Sequence, residues 1–219
     1  MESKAEITKD TPGRMEHQGF MNFEAKADKL SAAGANRTQS ATERENQQLK
    51  ARIAELERLV ACDTLTPLFN RRHFMEELDR WCGRAHRYGG DYGLLFIDVD
   101  NLKTVNDSIG HHVGDMLLTS IAKALLAAVR RSDLVARVGG DEFAILLDNI
   151  PAMQLPGKAD RIVRIVGKLR IEHEGVALIP SISAGHTVIE PGVRPSELML
   201  RADHSMYAAK QAKGIAPLK

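Results

Sequence analysis

The sequence predicts an α+β fold: a sandwich whose mostly antiparallel central sheet is flanked by helices, with a coiled-coil helix ahead of it. Three observations predict this. Apolar runs and segments of helical period follow one another as strand, helix, strand-hairpin, helix, strand, helix. Gly93 to Asp100 is apolar on both faces, as a central strand is. Gly139-Gly140 leads into the apolar run Ala144 to Leu147, and paired glycines accept positive φ and favour two-residue hairpin loops.

The chain has 219 residues, enough for one ordinary domain and an appendage. Lys plus Arg number 30 and Asp plus Glu 29, so no general attraction to a nucleic-acid polymer or a membrane surface is implied. Two cysteines, Cys62 and Cys82, make no disulfide framework and lack a metal-ligand spacing with histidines. No apolar run approaches a membrane span, and Met1 to Ser40 has no signal-peptide hydrophobic region. The expectation is a cytoplasmic protein.

Residues 1–42 are rich in Lys, Glu, Ala, Gly, Asn and Ser with scattered hydrophobics, a composition that reads as a flexible tail. A short partner-binding segment around Phe20 to Phe23 is the alternative. Over residues 43–62, Leu49, Ile53, Leu56 and Val60 are spaced four, three, four, with Asn46 at the preceding a position. That seam predicts a dimerisation helix, although a helix packed on its own domain has the same pattern.

The globular domain spans residues 63–219. From Asn70 to Tyr88, Phe74, Leu78, Trp81 and Ala85 recur at helical spacing, and Gly89-Gly90 ends the helix. Trp81 reads as core. Strand Gly93 to Asp100 closes on Asp98 and Asp100, which period-two alternation puts on one face. Burying carboxylates is costly unless they are paired, so a cation is their expected partner. His111-His112 by itself makes no transition-metal pattern. Leu117, Leu118, Ile121, Leu125 and Val129 then mark a helix. Arg130-Arg131-Ser132-Asp133 follows, on the plain reading a cationic helix end and a turn. Ile162, Val163, Ile165, Val166 and Leu169 mark another amphipathic helix. Val176 to Ile189 reads as a strand or hairpin with Gly185 at a bulge, and Pro195-Ser196-Glu197 starts a last helix ending near Gly214.

Arg137-Val138-Gly139-Gly140-Asp141-Glu142-Phe143 pairs close-approach glycines with carboxylates, a combination suited to a phosphate and its hard cation. This stretch resembles the signature loop of GGDEF-domain diguanylate cyclases, which condense two GTP into cyclic di-GMP. The run from Asp98 to Asp115 resembles the family's second signature. Asp63 to Arg72 resembles its opening segment, with Pro67 where glycine is usual, and Ala202 to Lys210 resembles its closing helix. The resemblance covers residues 62–214 and implies the core of nucleotidyl cyclases and polymerase palms. It implies Mg²⁺ held by Asp98, Asp141 and the Val99 carbonyl, with Asp141 or Glu142 accepting the ribose 3′-hydroxyl proton. It assigns Lys103, Asn106, His111, Asp115, Gly139, Gly140 and Lys210 to substrate, Asn106 and Asp115 at the guanine edge and Lys210 at phosphate. Arg130 and Asp133 match an RxxD motif that binds cyclic di-GMP as an inhibitor, with Arg161 completing it and Arg164 as the substitute. A symmetric reaction of two bound GTP implies a homodimer. Where the family continues glycine-arginine-asparagine, this chain has Lys213-Gly214-Ile215. That departure supports the rival reading, a degenerate module that binds GTP or cyclic di-GMP without turnover.

Overall fold

The computed structural model describes residues 46–50, 52, 56 and 61–214. The expected tail lies outside these residues, as do Ile53 and Val60 of the expected seam. The chain separates into two units, Met1–Glu57 and Arg58–Lys219. In the first, Asn46, Leu49 and Leu56 are helical and exposed. The second carries the fold.

Its elements are β1 (Phe69–Asn70), α1 (Arg71–Tyr88), β2 (Gly93–Val99), α2 (Leu102–Ile109), α3 (His111–Ala128), β3 (Leu134–Arg137), β4 (Glu142–Leu147), α4 (Leu155–Val166), β5 (Ile171–His173), β6 (Val176–Leu178), β7 (Ile182–Val188) and α5 (Pro195–Ala212). Five strands form one sheet in the order β1-β3-β4-β2-β7, and only the β1–β3 pair is parallel. Strand β2 is interior, between β4 and β7, and its two apolar faces are both covered. Leu95, Ile97 and Val99 pack into a core with α3 and α4, whereas Leu94 and Phe96 pack into a second core with α1 and α5. Asn70 caps α1, its Oδ1 accepting from His73 N at 3.0 Å. Trp81 is core, tilted against Tyr92.

Three local expectations are corrected. The glycine hairpin uses a four-residue loop, 138–141, and neither Gly139 nor Gly140 has positive φ. The α-carbon of Gly139 lies against the Glu142 side chain, which a methyl group there would displace. The run from Val176 to Ile189 divides in two. Val176–Leu178 pairs with Ile171–His173 around a tight turn in which Glu174 has φ 49° and Gly175 φ 79°. Pro180, which has no N–H to donate, separates that hairpin from β7. Finally, Gly185 is no bulge. It pairs in register with Phe96, and a methyl group there would collide with the Met206 backbone and the Ala202 carbonyl oxygen of α5.

Candidate active site

Antiparallel pairing of β2 with β4 makes Asp98 and Glu142 register partners, and Val99 N donates to Asp141 O at 2.9 Å. Residues remote in sequence thus meet at one end of the sheet. Asp98 lies on the α1/α5 face, where the Lys210 Nζ donates to its Oδ1 at 2.6 Å. Burial pushes the Asp98 carboxyl above its usual range, the Lys210 bond and charge pull it back, and Asp141 and Asp100 push it up again. Glu142 is also raised, first by burial and then by Asp141 and Asp98, with only Arg71 opposing among charges that also include Asp203. The site therefore holds more negative charge than its lysine offsets.

Asp98, Asp141 and the Val99 carbonyl are hard oxygen donors, and Mg²⁺ commonly takes one or two carboxylates with water and substrate phosphates. That donor set fits the ion chemically. Among the described residues no three acidic, histidine or cysteine side chains form a ready-made coordination group. Lys210 is the cation that Asp98 holds.

Asp100, one residue beyond β2, is buried with a side chain 0% exposed. It accepts from Ser181 Oγ at 2.6 Å, Ser183 Oγ at 2.8 Å and Lys213 Nζ at 3.2 Å. The expected cation is thus supplied from within the chain, and Lys213 turns toward Asp100.

Lys103 and Asn106 stand one turn apart on the short helix α2, and His111 and Asp115 begin α3. Lys103, His111 and Asp115 are exposed. Asn106 packs against the α-carbon of Gly114, and its Oδ1 is buried without a hydrogen-bond partner among the described residues. A buried acceptor left unmade is costly, so it favours a ligand donor at this position.

The loop is braced by residues that received no role from the sequence. Arg137 donates to Gly140 O at 2.7 Å and to Asp63 Oδ1 at 3.3 Å, so the arginine ahead of the glycines serves the turn itself. Arg71 donates to Val138 O at 3.1 Å. Burial would raise the Asp63 carboxyl, but hydrogen bonds from Thr66 and the Arg137 charge outweigh it and leave it lowered. Its contribution to stability is therefore present above the usual carboxylate range and lost as pH falls through the lowered value.

At the far end of β4, on the α3/α4 face, a cavity of about 570 Å³ is lined by Arg130, Asp133, Lys158 and Arg161. Asp133 organises its rim: Oδ2 accepts from Arg130 N at 2.8 Å and Oδ1 from Asp148 N at 3.1 Å. Lys158, also missed in the sequence, donates to Ala128 O at 3.0 Å. Burial lowers its pKa, Asp133 opposes this, and Arg161 and Arg130 lower it further. Arg164 does not line the cavity; its Nε donates to Asp160 O at 3.3 Å.

The sequence model of the family described as "Diguanylate cyclase, GGDEF domain" matches residues 60–215. The chain belongs to this family. Relatives include the diguanylate cyclase DgcP of Pseudomonas aeruginosa, 37% identical over 68% of this chain and 22% of that protein. The probable diguanylate cyclase DgcT of Escherichia coli is 35% identical over 68% of this chain and 33% of its own. The chain thus spans about a fifth to a third of the length of these GGDEF proteins. Among solved structures, the coiled coil and GGDEF domain of DgcB from Caulobacter crescentus, in complex with c-di-GMP, matches with TM-score 0.72 and 28% identity. That match covers 84% of this chain and 95% of DgcB's. The diguanylate cyclase SiaD of P. aeruginosa, in complex with its activator SiaC, matches with TM-score 0.68 and 30% identity, covering 90% and 82%. Among the described residues no helix is long and apolar enough to cross a membrane.

Proposed function

We propose that the chain is a diguanylate cyclase that condenses two GTP into cyclic di-GMP and two pyrophosphates. The observation that carries this reading is the convergence of Asp98, Asp141 and Glu142 at the mouth of the glycine hairpin. Asp98, Asp141 and the Val99 carbonyl would hold Mg²⁺, which when bound supplies charge neutralisation at the phosphates and a more acidic ribose hydroxyl. Glu142, its carboxyl raised by burial and neighbouring acids, or Asp141 accepts the 3′-hydroxyl proton. Lys210 presents an ammonium to phosphate, while Gly139 and Gly140 let the loop backbone approach it. Asn106, with its unpartnered buried oxygen, and Asp115 read the guanine edge, and Lys103 and His111 lie beside them. Incubation with GTP and Mg²⁺ followed by chromatography of the nucleotides tests the assignment. Cyclic di-GMP with pyrophosphate is the expected product pair. Tight GTP binding without product would instead make the chain a receptor.

The cavity at the other end of β4 supports inhibition by product. Its volume suits a small ligand, and Arg130 and Arg161 offer forks that match phosphate oxygens. Exposed, helical Leu49 and Leu56 support a homodimer through residues 43–62, which would bring two GTP-loaded domains together. Replacing Ile53 and Leu56 with glutamate should give a monomer by light scattering, with activity that recovers as protein concentration rises.

A further inference from the structure

We propose that Lys213 is a positioning residue that acts through Asp100 to hold Lys210 in the nucleotide site. Two acids and two lysines are interleaved here. Asp98 and Asp100 share one face of the β2 end. Lys210 lies in the last turn of α5, and Lys213, three residues on, caps its C-terminus. Each lysine takes one acid: Lys210 Nζ meets Asp98 at 2.6 Å and Lys213 Nζ meets Asp100 at 3.2 Å. The two pairs differ in what surrounds them. The Asp98 and Lys210 side chains are each 14% exposed, at a site where neighbouring acids crowd them. The Asp100 carboxylate is fully enclosed, with Ser181 and Ser183 on its oxygens, and Lys213 also donates to Ile182 O. A carboxylate so enclosed strongly favours keeping its countercharge, because a lone buried charge is costly.

The outer pair is therefore the anchor, and the inner pair is the one able to change partners. Lys213 fixes the last turn of α5 against β2 and β7, which leaves the Lys210 ammonium within reach of Asp98 and of a phosphate arriving there. Its own ammonium stays on Asp100 and does not touch substrate. The inference rests on the proposed phosphate role of Lys210.

The test is calorimetric titration of the full chain with the non-reactive α,β-methylene analogue of GTP in Mg²⁺ buffer, so that no turnover is needed. Lys213→Met should weaken analogue binding by at least about threefold, and Lys210→Met by more. In the Lys210→Met background, Lys213→Met should have no further effect, because its route to the ligand is gone. Asp100→Asn keeps one serine bond and can donate to the other hydroxyl, and it should reproduce the Lys213→Met affinity; it carries the test if Lys213→Met folds poorly. Unchanged affinity in both Lys213→Met and Asp100→Asn, even with a lower melting temperature, overturns the inference and leaves the cluster a structural clamp. An additional loss in the double variant also overturns it, since Lys213 would then touch phosphate directly. If Lys210→Met alone leaves affinity unchanged, the phosphate role of Lys210 fails, and the inference falls with it for that separate reason.

Discussion

The two ends of β4 have opposite electrostatics. At Glu142, where the strand begins, carboxylates crowd together and burial raises two of them. Beyond Leu147, where it ends, Arg130, Lys158 and Arg161 gather around a cavity also lined by two acids, Asp148 and Asp133, the latter accepting from backbone amides with both oxygens. The acid end lies on the α1/α5 face and the basic end on the α3/α4 face. A six-residue strand separates them by roughly 17 Å at about 3.4 Å per residue. The acid end is short of positive charge, and a cation brought with the proposed substrate would suit it. The basic end sets three cations against two acids and suits an anion. On the proposed function, the same nucleotide chemistry would be read twice, as magnesium-borne triphosphate at one end and as bare phosphodiester at the other.

The largest expected effect separates the ends outright. Asp98→Asn or Asp141→Asn should lower cyclic di-GMP synthesis on the order of 10³-fold, the equivalent of about 4 kcal/mol of transition-state stabilisation. Calorimetric affinity for added cyclic di-GMP should stay unchanged. If catalysis and product affinity fell together, the two ends would not be separate sites. Next, Arg130→Ala should weaken cyclic di-GMP binding at least about tenfold, since a charge-assisted bond contributes about 1.5–3 kcal/mol. Initial rates should be unchanged, and progress curves should bend later as product accumulates.

A smaller effect concerns stability at the acid end. The raised Glu142 carboxyl contributes stability below the usual carboxylate range and loses it as pH rises through the raised value. Near neutral pH its charge is therefore a burden. Glu142→Gln should raise the melting temperature there by on the order of 2 °C, and the gain should vanish on acidification. No gain at neutral pH would mean that the acid cluster is not under electrostatic load. The smallest effect is expected from Lys158→Met at the basic end, about threefold or less in cyclic di-GMP affinity. Its ammonium already serves the Ala128 carbonyl, and an exposed or half-exposed charge contributes little.

The layers of the fold were legible because period alone decides them. The double-faced apolar run of β2 required neighbours on both sides, and the spacing from Phe74 to Ala85 required a helix buried on one face. The acids at Asp98, Asp141 and Glu142 were legible as an anomaly, charges at the ends of apolar strands. What stayed hidden was pairing. Nothing in the order of residues says that Lys213 answers Asp100, or that Lys158 joins Arg130, because both depend on how α5 and α4 lie across the sheet. Gly139-Gly140 misled for a related reason. Glycine serves two needs, positive φ and close approach, and the sequence cannot say which; Gly139 approaches the Glu142 side chain, and Gly140 shows neither need within the chain.

Gly185 extends that lesson to heredity. It lies beneath Met206, one helical turn before Lys210, at a spot where even a methyl group would strike backbone. Backbone cannot rotate aside as a side chain can, so a larger residue would lever α5 away from β7 and carry both lysines with it. In a library of random variants this position should fail as reliably as the acids do, although it has no functional group at all. The address of a charge in this protein is written partly in a missing carbon.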